Sequence, residues 1–285
     1  MKIGVNVPNY GPGTDPGVLR DWAQTVEGMG FDLLMMSDHI AVTPDVAEKY
    51  PAPFYEPFTT LSWLAGVTRQ ILLGTTVLIV PYRHPLLTAR AAANLADLSG
   101  GRFILGVGVG WAEQEFDALG VPFKQRGKLT DEHLRAVRTA WQQEDDYRSG
   151  RIPIWVGGNS AAAVRRSVRL GDAWHPLRCK ASWLGEAAEW LKSVAAQEGL
   201  PVPGLAPRIV LRPSDQPVTG QDRLAGEGDL EQIVGDLATL RSLGAEAVLL
   251  DTFGGDPEEL KRPEKAWRDL AAVAAAEPSW STRLR

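Results

Sequence analysis

A parallel α/β fold closed as a (β/α)8 barrel is what the sequence predicts, and three observations predict it. Strand-like and helix-like segments alternate along all 285 residues. The strand candidates are continuous apolar runs, the pattern of strands buried on both faces. One whole unit is contained in Leu72–Trp111. There two apolar runs, Ile71–Val80 and Phe103–Val109, flank a segment with Leu87, Ala91, Leu95 and Leu98 at helical spacing. That spacing predicts one apolar helix face, and strand, crossover helix and strand make the parallel βαβ unit.

Taken in order, the strand candidates are Ile3–Val7, Leu33–Met36, Leu72–Val80, Phe103–Val109, Ile154–Val156, Ala173–Trp174, Ile209–Leu211 and Ala247–Leu250. A first helix follows from Leu19, Trp22, Val26 and Met29. A later one follows from Trp183, Leu184, Ala187, Trp190, Leu191 and Val194. Leu230, Ile233, Val234, Leu237 and Leu240 mark another, which Gly244 closes as a C-cap. Eight such units favour a closed barrel over an open doubly wound sheet. With no low-complexity linker and no shift in composition, residues 1–285 read as one domain. The open-sheet alternative fails its own test. A dinucleotide turn needs G-x-G-x-x-G or G-x-G-x-x-A, but Trp111 or Glu113 stands at the last position.

Composition narrows the function. A net charge of -5 argues against nucleic-acid and polybasic membrane partners. No apolar run approaches the ~18 residues of a membrane span. A single cysteine, Cys179, excludes an intramolecular disulfide and suits a reducing cytoplasm. The opening MKIGVNVPNYG reads as strand and turn rather than as a secretory leader. His39, His84, His133 and His175 are scattered singly, so no metal site is expected.

In parallel α/β folds ligands bind at the carboxyl ends of the strands. Asp38 and His39 follow the second strand; the histidine either moves a proton near neutral pH or merely bonds the next loop. Gly106-Val-Gly-Val-Gly110-Trp111 leaves the fourth strand with glycines spaced to let backbone approach a flat group. After the fifth, Gly157-Gly158-Asn159-Ser160 opens a helix. That is either plain capping or an anion site at the helix start, with Arg165 and Arg166 adding charge. Trp174-His175 either lines a pocket or packs in the core. Arg83 is either a cofactor-facing cation or an anchor. Glu113 and Glu115 suit a helix start electrostatically and carry little functional weight by themselves. The stretch Pro213–Gly228 is either a mobile lid or a surface loop.

With these residues in view, the chain resembles the luciferase-like monooxygenase superfamily, most closely its coenzyme F420-dependent branch. The resemblance rests on MMSDHI (35–40), EPFTTLSWLAGVT (56–68), LGTTVLIVPYRHPLL (73–87), LSGGRFILGVGVGWAEQEFDALG (98–120), PIWVGGNS (153–160), GDAWHP (171–176) and VLLDTFGGDPEEL (248–260). It implies a TIM barrel with a deazaflavin ring across the strand ends. It further implies a non-prolyl cis peptide at Thr76–Val77 behind the ring, and Val109, Gly110 and Trp111 beside it. Gly157, Gly158, Asn159 and Ser160 match the phosphate turn; Asp38 and His39 match the pair at the reactive edge. The implied activity is hydride transfer between F420 and a small organic substrate. An FMN-dependent monooxygenase and a non-catalytic deazaflavin-binding barrel are the alternatives. Relatives also imply a homodimer through 56–68 and 87–98. One departure stands out: the connection at 142–151, before the PIWVGG strand, is much shorter than in relatives. Barrel logic places it away from the chemistry.

Overall fold

The computed structural model describes residues 1–143 and 152–277. Most of the shortened connection, 144–151, therefore lies outside the described residues. Nine strands form one curled sheet: β1 (Lys2–Asn6), β2 (Leu33–Met36), β3 (Leu72–Thr75), β5 (Phe103–Gly108), β6 (Ile154–Gly157), β7 (Ala173–His175), β8 (Gly204–Leu205), β9 (Arg208–Val210) and β12 (Ala247–Asp251). A short β4 (Leu78–Ile79) adds to β5 beside β3, and a separate pair joins β10 (Arg212–Pro213) to β11 (Glu227–Gly228). The order is β8-β7-β6-β5-β3-β2-β1-β12-β9, and every pairing in it is parallel. The two ends of this path, β8 and β9, are neighbours in sequence. Gly204 and Ala206 donate amide bonds toward β7, while the Leu205 and Pro207 carbonyls accept from Glu246 and Leu249 beside or within β12.

Continuous apolar runs led to the expectation of burial on both faces, and alternate residues do face two different cores. Leu33 and Met35 join Ile104, Trp155 and Leu249 inside the curl, whereas Leu34 and Met36 pack under the helices. Among the described residues ten α-helices flank the strands: α1 (Pro16–Gly28), α2 (Pro44–Ala47), α3 (Pro57–Val67), α4 (Pro85–Leu98), α5 (Glu113–Ala118), α6 (Arg126–Gln143), α7 (Ala161–Leu170), α8 (Leu184–Glu198), α9 (Leu230–Ser242) and α10 (Pro263–Ala276). Asp15 caps α1 by accepting from Val18, and Asp229 with Gln232 forms a capping box on α9.

Two expectations change. The Leu72–Val80 run is not one strand: β3 stops at Thr75 and β4 resumes at Leu78, with a cis peptide at Thr76–Val77 between them. On α4 the face picked out by spacing is mostly the outer one. Leu87 is 59% and Leu98 66% exposed, while Thr88, Ala89, Ala92, Ala93, Leu95 and Ala96 are buried. The helix is wedged against α3 and α6, and this inner face is lined mostly by alanines, with Leu95 buried among them. Within Pro213–Gly228, residues 214–217 and 219–222 are exposed, and the stretch is tied down at its far end. Arg223 makes a two-pronged ion pair with Asp236 of α9, and Ala225 donates to the Cys179 carbonyl.

Candidate active site at the strand ends

The end of β2 delivers two buried side chains into two different networks. His39 Nδ1 lies 2.5 Å from Glu115 Oε2 on α5. Since a carboxylate only accepts, Nδ1 carries the proton. Nε2 is left without a partner among the described residues. Glu115 is fully buried and also accepts from the Ile40 and Ala41 amides (2.6 and 3.0 Å) and the Tyr82 hydroxyl (2.8 Å). Burial pushes its carboxyl toward the neutral form. The His39 bond and charge, the Ile40 amide and the Tyr82 hydroxyl outweigh that and hold its pKa below the usual range. Asp38 accepts from the Ile79 amide and, in a fork, from both Arg83 terminal nitrogens at 2.7 and 2.8 Å. Arg83 reaches Glu56 as well, which resolves its two sequence readings in favour of the anchor.

Between β3 and β4 the chain bulges toward the axis. There the glycines of β5 and β6 find their use. A Cβ on Gly106 would collide with the Thr75 carbonyl oxygen and one on Gly108 with the Val77 side chain. On Gly157 a Cβ would come 2.8 Å from Val77 Cγ1. The G-x-G-x-G spacing thus makes room for this bulge itself, where the sequence reading had a flat ligand approaching those backbones. Gly110 has φ +78, and a Cβ there would press on Ile79 and Phe116.

Thr76 is tied from two sides. Its hydroxyl is 2.9 Å from His175 Nε2, and His175 Nδ1 bonds the Ala206 carbonyl, so Nδ1 holds the proton and Nε2 accepts. Burial lowers the His175 pKa to about 4, against the Ala206 bond and with help from the Arg208 charge. Arg208 donates to the Thr76 carbonyl (2.9 Å) while its Nε and Nη2 hold Asp251 at 3.0 and 2.7 Å. His175 therefore belongs to the buried scaffold. Trp174, fully buried, donates to the Gly158 carbonyl at 2.8 Å.

An aromatic cluster covers His39. Its ring centroid is 5.7 Å from Trp111, 5.4 Å from Phe54 and 5.5 Å from Tyr50. Lys49 sits 4.1 Å over the Trp111 ring. Tyr10 stacks on Phe54 at 5.3 Å and meets Tyr50 edge-on at 5.0 Å. Beyond Phe253, which packs on Tyr10, a separate cavity of about 670 Å³ lies along α1 and α10.

At β6 the chain turns through Gly158 (φ +110) into α7, where Ser160 Oγ accepts from the Ala163 amide. The amides of Ala161 and Ala162 have no intrahelical partner in this first turn and lie at an exposed helix start. That arrangement accepts an anion. The Asn159 carboxamide is spent on the Leu177 backbone in both directions, which leaves backbone groups as the donors. Arg166 is buried and bonded to Asp131 and Gly127, so only Arg165 is exposed to add charge.

The structure brings His39 to 5.7 Å from Trp111 and packs Val77 against Gly108 and Gly157, with Val109 and Gly110 leading into Trp111 and Gly157 leading into the turn before α7, while Thr76 is tied to His175 and Arg208. Asp38 stands behind them as an anchor. The sequence reading gave Glu115 little weight and so missed its bond to His39, and it passed over Tyr10, Tyr82, Arg208 and Asp251. Among the described residues, no three His, Cys, Asp or Glu side chains converge as a metal site.

The curled parallel sheet thus carries, at its strand ends, the buried His39–Glu115 pair and the exposed start of α7. The chain belongs to the luciferase-like monooxygenase family, whose model matches residues 1–214. It is 29% identical over 247 residues to the phthiodiolone/phenolphthiodiolone dimycocerosates ketoreductase of Mycobacterium tuberculosis, covering 74% of this chain and 64% of that one. The chain spans 62% to 64% of the length of the curated relatives that it matches. Two solved structures share the fold. An F420-dependent secondary alcohol dehydrogenase in complex with an F420–acetone adduct aligns with TM-score 0.73 at 15% identity, over 96% of this chain and 99% of that one. The FMN-bound oxygenating constituent of 3,6-diketocamphane monooxygenase from Pseudomonas putida aligns with TM-score 0.75 at 14% identity, over 96% and 97%.

Proposed function

We propose that this protein is an F420-dependent oxidoreductase that exchanges a hydride with a small organic substrate. The observation carrying the reading is the unpartnered Nε2 of His39, backed by Glu115 and carried on the segment whose Ser37 hydroxyl bonds the Thr76 carbonyl next to the Thr76–Val77 bond. The residues fit such a cofactor. The α7 start offers free backbone amides to a phosphate, with Gly157, Gly158, Asn159 and Ser160 forming the turn. Val77 makes the back plate, and Val109, Gly110 and Trp111 make a side wall. When bound, the deazaflavin supplies a two-electron hydride donor or acceptor at C5.

His39 handles the matching proton at Nε2, and Glu115 stabilises the imidazolium that results. Asp38, locked by Arg83, fixes the β2 end that presents His39. Trp111 and Tyr50 exclude water from the mouth. Residues 204–211, bonded toward both β7 and β12, support reading the sheet as a closed (β/α)8 barrel in a single domain, 1–285. The exposed Trp63, Leu86, Leu87 and Leu98 on α3 and α4 support a homodimer. No helix among the described residues is long and apolar enough to cross a membrane, and we place the protein in the cytoplasm.

Titrating the protein with F420 and with FMN, followed by fluorescence, tests the cofactor. Saturable F420 binding is expected; binding of FMN alone gives the monooxygenase reading, and binding of neither ends both. His39→Ala should cut turnover at least 100-fold with cofactor affinity unchanged. Full binding without turnover on any substrate would favour a binding barrel.

A further inference from the structure

We propose that residues 48–52 form a gate over His39, with Tyr50 as its leaf and Lys49 as its latch, and that a substrate reaches His39 Nε2 only when this segment swings away. The proposal rests on the reading of His39 as the proton-handling group, but the closure itself is independent of any cofactor.

His39 is only 5% exposed, too little surface for an organic molecule to lie against its ring. Glu115 occupies the Nδ1 side, and the rings of Tyr50, Phe54 and Trp111 stand around the imidazole with centroids 5.5, 5.4 and 5.7 Å away. A group that exchanges a proton with a substrate must come within about 2.6–3.2 Å of it. One of the covering rings must therefore move to admit one.

Phe54 is fixed. Its backbone pairs with Tyr10, the neighbouring Pro53 carbonyl accepts from Gly11, and Tyr55 bonds Asn9 through both its amide and its carbonyl. Trp111 is held between β5 and α5, next to the fully buried Ala112. Tyr50 is different. Before it, α2 is anchored by the buried Val46 and by Asp45, which accepts from the Gln114 amide at 3.2 Å. After it, the anchored chain resumes at Pro53. Between these points the amides of Glu48, Lys49 and Tyr50 bond only within the last turn of α2, to Pro44 and Val46. Among the described residues, 48–52 make no hydrogen bond to any other element, and Glu48, Lys49 and Ala52 are exposed. Ring contacts hold the segment down: Tyr50 against Tyr10, His39 and Trp111, and the Lys49 ammonium 4.1 Å over the Trp111 ring. Segments with few bonds to the body are the ones that open locally. A lid of this kind admits the substrate and then keeps water from the chemistry.

Carbethoxylation by diethyl pyrocarbonate, mapped by peptide mass spectrometry on the cofactor-free protein, reads access to His39 directly. The exposed His84 is the internal reference. Wild-type His39 should react at least about tenfold more slowly than His84, as for a site open one-tenth of the time or less. Lys49→Ala leaves Tyr50 in place but releases the latch. It should speed the reaction of His39 about two- to fivefold, the effect of losing one exposed cation–π contact, with no change in melting temperature. Lys49→Arg keeps that contact and should react as wild type does, while Tyr50→Ala should bring His39 nearest to His84. Under a fixed cover, Lys49→Ala would react at the wild-type rate. That result overturns the proposal, as does wild-type His39 reacting as fast as His84. Absence of F420 binding together with a Lys49-dependent rate overturns the cofactor reading alone.

Discussion

On the side of the mouth formed by β2 and α5, each buried carboxylate is saturated: Asp38 takes bonds from Ile79 and a forked Arg83, and Glu115 takes four. On the side formed by β1, β9 and β12, Asp251 is held by Arg208 and Asn6, but the Tyr10 hydroxyl and the Asn6 carbonyl stand unpaired. Buried charge is tolerated only when paired, so the first wall is complete without any ligand. Its work is to hold His39 in one tautomer and one orientation. The second wall carries polar capacity that the protein itself does not use. The two walls therefore differ in how fully their buried polar atoms are paired within the described residues.

The largest effect should come from breaking the complete wall at its centre. Glu115→Ala strands the His39 and Tyr82 donors and two amides in a buried site, which should cost about 3–5 kcal/mol of stability in urea unfolding. Turnover should fall with it. Glu115→Gln, which keeps an acceptor oxygen, should recover at least half of the loss; a change below about 1 kcal/mol on Glu115→Ala would mean the wall does not depend on this carboxylate. Arg83→Met comes next. It leaves Asp38 buried without a counter-charge and should cost about 3 kcal/mol, while Arg83→Lys falls between because a lysine cannot form the fork. Equal stability of the Met and Lys variants would remove the fork from the account.

That contrast also separates what was legible in the sequence from what was not. Strand positions were readable because burial on both faces demands unbroken apolar runs, and caps such as Ser160 carry local signatures. His39 was readable because the end of a strand fixes its location. Glu115 was not. Its spacing fits an ordinary helix start, and only the packing of α5 on α2 and over the loop after β2 turns it inward. The leucine stripe on α4 misled for a related reason. Helical spacing gives the existence of an apolar face, but against α3 and α6 the inner face is mostly alanine, and of the stripe's leucines it takes only Leu95. Tyr10 was invisible because an unpaired hydroxyl is a property of three-dimensional surroundings.

His175 sharpens the comparison through pH. It sits in the floor joining both walls, bonded to Thr76 and near Arg208. Burial lowers its pKa to about 4 from an ordinary 6.5, so the folded protein holds it neutral while the unfolded chain takes up a proton. Stability from this group is present above about pH 6.5 and is lost as pH falls toward 4, by roughly 3 kcal/mol in all. Glu115, whose pKa is lowered, adds a second loss only below its ordinary 4.5. Urea midpoints measured between pH 7 and 4.5 should therefore decline for wild type and stay nearly level for His175→Gln. Parallel slopes for the two proteins would show that His175 is not the group held neutral.

The smallest effect is expected on the incomplete wall. Asn6→Ala removes a bond to a charged carboxylate, worth about 1.5–3 kcal/mol, and at the same time removes an unpaired buried carbonyl costing about 1–3 kcal/mol. The two nearly offset, so the net change should stay below about 1 kcal/mol. That is far less than Glu115→Ala, although both residues contact or carry a buried carboxylate. Calorimetric unfolding of the two variants side by side decides the matter. A loss on Asn6→Ala as large as that on Glu115→Ala would mean that the Asn6 carbonyl is satisfied in solution, and that the wall facing His39 is as complete as the one that holds it.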